Sequence, residues 1–135
     1  MMFEWKDFID VARHLRDVSG KDIPDEAAYR SAVNRAYYGA YGHSTEYAIH
    51  KFKFIPEENG DDHWRLRDCF KEKGKSSPDM MQVALKLKEL HEWRKDCDYH
   101  SVTRNRSTPD QMAIEAINDA QEIIDKLADT FRILF

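Results

Sequence analysis

The chain has 135 residues, 34% of them charged and 41% hydrophobic, with a formal net charge of −4 and a mean hydropathy of −0.76. That length suffices for one domain, residues 1–135, with a core that needs no disulfide or metal staple. The acidic balance excludes a surface that coats nucleic acid non-specifically and leaves room for a local basic patch.

No apolar run approaches the length of a membrane span, and the opening MMFEWKDFID lacks the cationic-then-apolar pattern of a secretory leader. Cys69 and Cys97 are too few for a disulfide framework or a zinc site. A cytoplasmic, membrane-free setting is the expectation.

Apolar residues recur at the helical period of 3.6, while the alternation typical of half-buried strands is nearly absent. The first predicted helix covers residues 3–18, with Trp5, Phe8, Ile9, Ala12, Leu15 and Val18 on one stripe and Ser19-Gly20 as its stop. Pro24, Asp25 and Glu26 suit the start of a second helix, residues 25–49, because proline fits the first turn and carboxylates favour the positive helix end. Its inner face reads Tyr29, Ala32 or Val33, Ala36, Tyr37, Ala40 and Tyr41. Ala32, Ala36, Gly39 and Ala40 are small enough to admit a close neighbour.

After a loop at Pro56–Asp62, a short helix carries Leu66, Cys69 and Phe70 and ends near KEKGKSS. Ser77-Pro78-Asp79 and Thr108-Pro109-Asp110 repeat one device: a capping hydroxyl, a proline at the first helical position and an aspartate in the first turn. The helix after Pro78 is expected to bury Met80, Val83, Ala84, Leu87, Leu90 and Trp93. The one after Pro109 is expected to bury Met112, Ala113, Ala116, Ile117, Ala120, Ile123, Ile124, Leu127, Phe131 and Leu134. The fold expected is an all-α antiparallel four-helix bundle with an additional short helix.

Residues 90–100, LHEWRKDCDYH, place Arg94 and His100 six positions apart where the helical pattern fades. On a continuous helix such a pair diverges by about 120°. Convergence on one ligand requires the helix to end between them, or two copies of the chain to face each other. Histidine exchanges a proton near neutrality, and arginine grips two phosphate oxygens at once. An RNA 2′-hydroxyl brings its own nucleophile, so this pair can cut a strand without a metal. Lys95, Arg104 and Arg106 would add a basic rim for the flanking backbone. The plainer reading pairs Arg94 with Asp98 across one helical turn and leaves His100 as a solvated residue at the helix end.

The segments AYRSAVNRAYYGAYGHSTEYA, from Ala28, and LHEWRKDCDYHSV, from Leu90, resemble those of HEPN-domain proteins, and the resemblance covers essentially the whole chain. It implies a compact helical bundle, generally dimeric. Catalytic members carry an arginine, four to six residues, then a histidine, and act as metal-independent endoribonucleases. Many work as toxins with a neutralising antitoxin, or beside a nucleotidyltransferase-like partner.

The resemblance puts Arg94 and His100 on that motif, with His100 as general acid/base, Arg94 as phosphate clamp and RNA as substrate. Tyr99 and Asp98 then orient the histidine or stack a base, or Tyr99 simply covers the helix end. Asn34 and Arg35 are expected to support the fold or a homodimer interface, Arg35 needing a carboxylate or carbonyl partner. The alternative is a non-catalytic helical module that binds a nucleotide or a protein partner. Histidines 43, 50, 63 and 91 show no metal-site spacing, and no glycine-rich phosphate loop is present, so no metal or cofactor is expected.

Overall fold

A computed structural model describes residues 3–21, 23–103 and 108–127. Those residues form five helices: α1 (Asp7–Asp17), α2 (Asp25–Phe52), α3 (Asp62–Lys73), α4 (Pro78–Tyr99) and α5 (Pro109–Lys126). The all-α expectation is met. The one β feature among the described residues is an isolated bridge between Ser19 and Ile23.

The two serine/threonine–proline starts form as expected. Ser77 Oγ accepts from the Met80 amide at 3.4 Å and Thr108 Oγ1 from the Gln111 amide at 3.3 Å, each serving an otherwise orphaned donor. Two boundaries and one relative length differ from expectation. Helix α1 begins at Asp7 rather than Phe3, because Phe3, Trp5 and Phe8 instead gather edge to face, with centroids 5.1–5.7 Å apart. Helix α2 runs on to Phe52 and stops where Lys53 turns left-handed at φ 57°, its neighbour Phe54 donating back to the Ala48 carbonyl. At 12 residues, α3 is slightly longer than the 11-residue α1, so it is not the one short helix of the set.

Helix α2 packs against all four others, which is why its buried residues surround the axis instead of forming a stripe. Small residues make this possible. Gly39 lies against Ile9, Phe8 and the Trp5 carbonyl, and Gly42 lies directly under the Trp5 ring. The core continues through Leu66 and Phe70 of α3, Val83, Leu87 and Leu90 of α4, and Met112, Ile123 and Leu127 at the far end of the chain. The expected core positions Phe131 and Leu134 lie outside the described residues. Deep in this core His43, 2% exposed, donates from Nε2 to the Leu127 carbonyl at 2.7 Å and ties α2 to the end of α5.

Candidate functional site

Helix α4 continues to Tyr99, so the ending falls one residue before His100, too late to swing that side chain toward Arg94. Arg94 reaches forward one turn to Asp98, with Nη1 to Oδ2 at 3.3 Å. His100 reaches back one turn to Asp96, with Nδ1 to Oδ1 at 2.8 Å. Residues two apart on a helix differ by about 200° in direction, so Asp96 and Asp98 engage His100 and Arg94 separately.

Arg94 is 8% exposed. Its guanidinium carbon lies 5.8, 5.4 and 5.5 Å from the ring centres of Tyr37, Tyr38 and Tyr99, whose π faces favour a cation in place of water. Its Nε–H is buried with no hydrogen-bond partner among the described residues. An orphaned buried donor costs about 1–3 kcal/mol, so this arginine is incompletely satisfied by its own chain. Asp98 is shared, since Asn34 Nδ2 also donates to its Oδ2 at 2.9 Å. Asn34 Oδ1 in turn accepts from both Nε and Nη2 of Arg35, and Arg35 stacks over Phe8 at 4.8 Å. The carbonyl partner expected for Arg35 is therefore the neighbouring Asn34 side chain, and Asn34 and Arg35 steady Asp98.

His100 is oriented by its own partner. A carboxylate only accepts, so Nδ1 carries the proton and neutral His100 presents a lone pair at Nε2. Its backbone is fixed by Arg30 of α2, a residue that no motif singled out. Arg30 Nη1 donates to the carbonyls of Cys97 at 2.9 Å and His100 at 2.5 Å, and Nη2 to that of Ser101 at 2.9 Å. These are the orphan carbonyls of a helix end, and a cation there also meets the negative end of the helix dipole. Cys97 beside them is no nucleophile: burial pushes its thiol up to about 11. Tyr99 and Lys95 are exposed, Tyr99 covering Arg94. Arg104 and Arg106, the expected basic rim, lie outside the described residues.

The histidines that do share Arg94's surroundings are His91, three residues before it, and His63 from α3. Their rings stack at 4.7 Å and 7°, with Tyr41 against His63 at 4.5 Å and Tyr37 against both. Tyr37 Oη lies 2.5 Å from His63 Nδ1, and Arg67 Nη1 donates to His91 Nδ1 at 3.1 Å. Burial above all, then the nearby cations, lowers both imidazoles, His91 to about 3. Both rings are therefore neutral near pH 7. Sequence spacing hid this cluster because 28 residues separate the two histidines, and only the α3–α4 hairpin brings them together. The chain does hold the clue: the tight turn at Gly74, packed on Met81, sets successive turns of α3 against successive turns of α4. No protein-family model, no curated protein and no solved structure matches the chain.

Proposed function

We propose that this chain is a HEPN-type, metal-independent endoribonuclease that acts as a homodimer, in the manner of the toxin of a toxin–antitoxin or defence system. The observation that carries the reading is Arg94, nine-tenths buried yet with its Nε–H unpartnered among the described residues: a guanidinium not fully served by Asp98 is suited to donate to phosphate oxygens. His100 supports it, because Asp96 fixes the ring with Nε2 available to exchange a proton. Arg94 and His100 are each engaged by a different carboxylate of α4, so in this reading the complete site combines Arg94 of one copy with His100 of another, or forms by rearrangement on binding.

In the reaction the ribose 2′-oxygen attacks phosphorus and the bond to the 5′-oxygen breaks. The 2′-hydroxyl proton passes to a base, and an acid protonates the departing 5′-oxygen. The products are a 2′,3′-cyclic phosphate and a 5′-hydroxyl. His100 carries the proton and Arg94 stabilises the charge gathering on the phosphate oxygens.

RNA cleavage by the purified protein in EDTA tests this. Wild type and His14→Gln cut and leave cyclic-phosphate ends, and His100→Ala loses at least about a hundredfold in rate, the usual worth of a positioned acid/base. Cleavage that survives His100→Ala in full, or that needs magnesium, overturns the assignment.

One observation favours a second reading, a non-catalytic helical module that binds a nucleotide or a nucleotidyltransferase-like partner. It is the intramolecular pairing of Arg94 with Asp98 while His100 turns to Asp96. Absence of cleavage by every one of these proteins on a mixed RNA pool, together with a stable complex with such a partner, selects it.

A further inference from the structure

Arg67 joins two features on the α3–α4 face. At one end it donates to His91 within the stacked histidine pair. At the other it lines a cleft of about 300 Å³ together with Trp64, Lys71, Leu85 and Lys88, where Asp68 is the one lining carboxylate. Lys71, Lys88 and Lys95 are exposed, and among the described residues none of them has a hydrogen-bond or ion-pair partner. Of the other lysines, Lys86 is paired with Asp119 and Glu122 and Lys126 with Asp79, while Lys21, Lys51 and Lys53 have no ion-pair partner among the described residues. What sets this face apart is the gathering of Arg67, Lys71 and Lys88 around one cleft in a chain of net charge −4.

The histidine pair adds donors. A guanidinium only donates, so His91 Nδ1 is an acceptor and its proton sits on Nε2. Tyr37 is 1% exposed, and burial keeps its hydroxyl protonated. With His63 Nδ1 as its partner, it donates there and leaves the His63 proton on Nε2 as well. Two parallel imidazoles thus present N–H groups beside Arg67, Arg94 and Lys95. The groups facing them are Tyr37, Tyr38 and Tyr41 from α2, Asp62 and Arg67 from α3, and Arg94 and Lys95 from α4. Asp62, the carboxylate among them, is already engaged by the Glu57 and Glu58 amides and by Arg65. Donors in excess of acceptors suit an anion. Trp64, 53% exposed beside the cleft, offers a ring face to a base.

We propose that the α3–α4 groove binds single-stranded RNA, with one phosphate at Arg67, His63 and His91, neighbouring phosphates at Lys71, Lys88 and Lys95, and a base stacked on Trp64. This gives the ribonuclease reading its substrate path and rests on that reading only for the choice of RNA. Alternating cations and an aromatic face are what sequence-tolerant single-strand binding uses.

The test is fluorescence anisotropy of the full chain with a labelled 2′-O-methyl oligouridylate. This probe lacks the 2′-nucleophile, so binding is read apart from cleavage. Lys71→Gln with Lys88→Gln, both at exposed positions, lowers the log–log salt slope by about 1.4, since each phosphate left without its lysine is worth about 0.7. Trp64→Ala weakens binding roughly tenfold. In proton NMR the imidazole signals of His63 and His91 shift on binding, while those of His14 and His50, on α1 and at the end of α2, stay in place. No binding by wild type, an unchanged slope and affinity in the variants, or shifts that miss His63 and His91 would overturn the groove. A protein that binds through these residues but never cuts RNA leaves the groove standing and removes the ribonuclease. One that cuts through His100 but ignores Lys71, Lys88 and Trp64 does the reverse.

Discussion

The guanidinium of Arg30 donates from Nε to Glu26 at 3.0 Å and from its two terminal nitrogens to the carbonyls of Cys97, His100 and Ser101. It caps α4 from the flank of α2 and fixes the point where His100 leaves the helix. Arg30→Ala removes the charged donor from these carbonyls and is expected to cost about 2 kcal/mol in urea unfolding. Arg30→Lys recovers only part of this, because an ammonium cannot reproduce the planar fork. The candidate site was legible to the extent that Arg94, Asp98 and His100 stand on one stretch of chain. Arg30 was not legible, since its partners are backbone carbonyls some 67–71 residues away.

The histidine pair sets a pH dependence with a definite sign. His91 titrates near 6.5 when unfolded and is lowered to about 3 in the fold, so in that window the unfolded chain binds more protons. Stability therefore rises with pH across it: the contribution is complete above about 6.5 and is lost as pH falls toward about 3. His63 is lowered as well and acts in the same sense. Thermal melts of His91→Gln should show a flatter acid limb than those of wild type, and an identical limb would mean that the stacked pair is not what is protonated.

Among the elements, α1 and α2 meet with almost no space between them. The run of alanines and glycines in α2 announced an approach of this kind, though not which helix would make it. Gly42 shows how tight the packing is, because a Cβ there would overlap the Trp5 ring itself. Gly42→Ala must displace Trp5 from its cluster with Phe3 and Phe8, and is expected to destabilise by about 1–3 kcal/mol, measured by chemical unfolding. The same substitution on an exposed helix would stabilise by up to about 1 kcal/mol, so the sign of the change reads out the packing. The starts of α4 and α5 were legible because a cap is local chemistry, confined to a single turn of chain. The end of α2 at Lys53 was not, because nothing in Lys53 itself favours a left-handed turn; Phe52 and Phe54 on either side pack against the core.

For the whole molecule, the separate pairing of Arg94 with Asp98 and of His100 with Asp96 makes oligomeric state part of the functional question. Tyr99 and Val102, 69% and 80% exposed, flank His100 with apolar surface that a second copy would cover. If the ribonuclease is a homodimer built around this end of α4, light scattering gives twice the chain mass for wild type. Val102→Glu then gives a monomer with cleavage reduced at least tenfold. A wild-type monomer that cuts RNA rejects the dimer. No helix among the described residues is long and apolar enough to cross a membrane.

Helical content, the two capped starts and most of the buried stripe were determined by the sequence alone, because periodicity and capping act over a turn or two of chain. The tertiary structure decided the rest. The distance along the helix axis from Arg94 to His100 follows from their spacing, but their separation around it depends on where α4 stops, and Arg30 on another helix holds that stop. The pairing of His63 with His91 depends on the register of a hairpin, and the half-burial that keeps both neutral depends on Tyr37 and Tyr41 from a third helix. Charge, burial and donor count at a site are sums over neighbours distant in sequence, and only the folded chain brings those neighbours together.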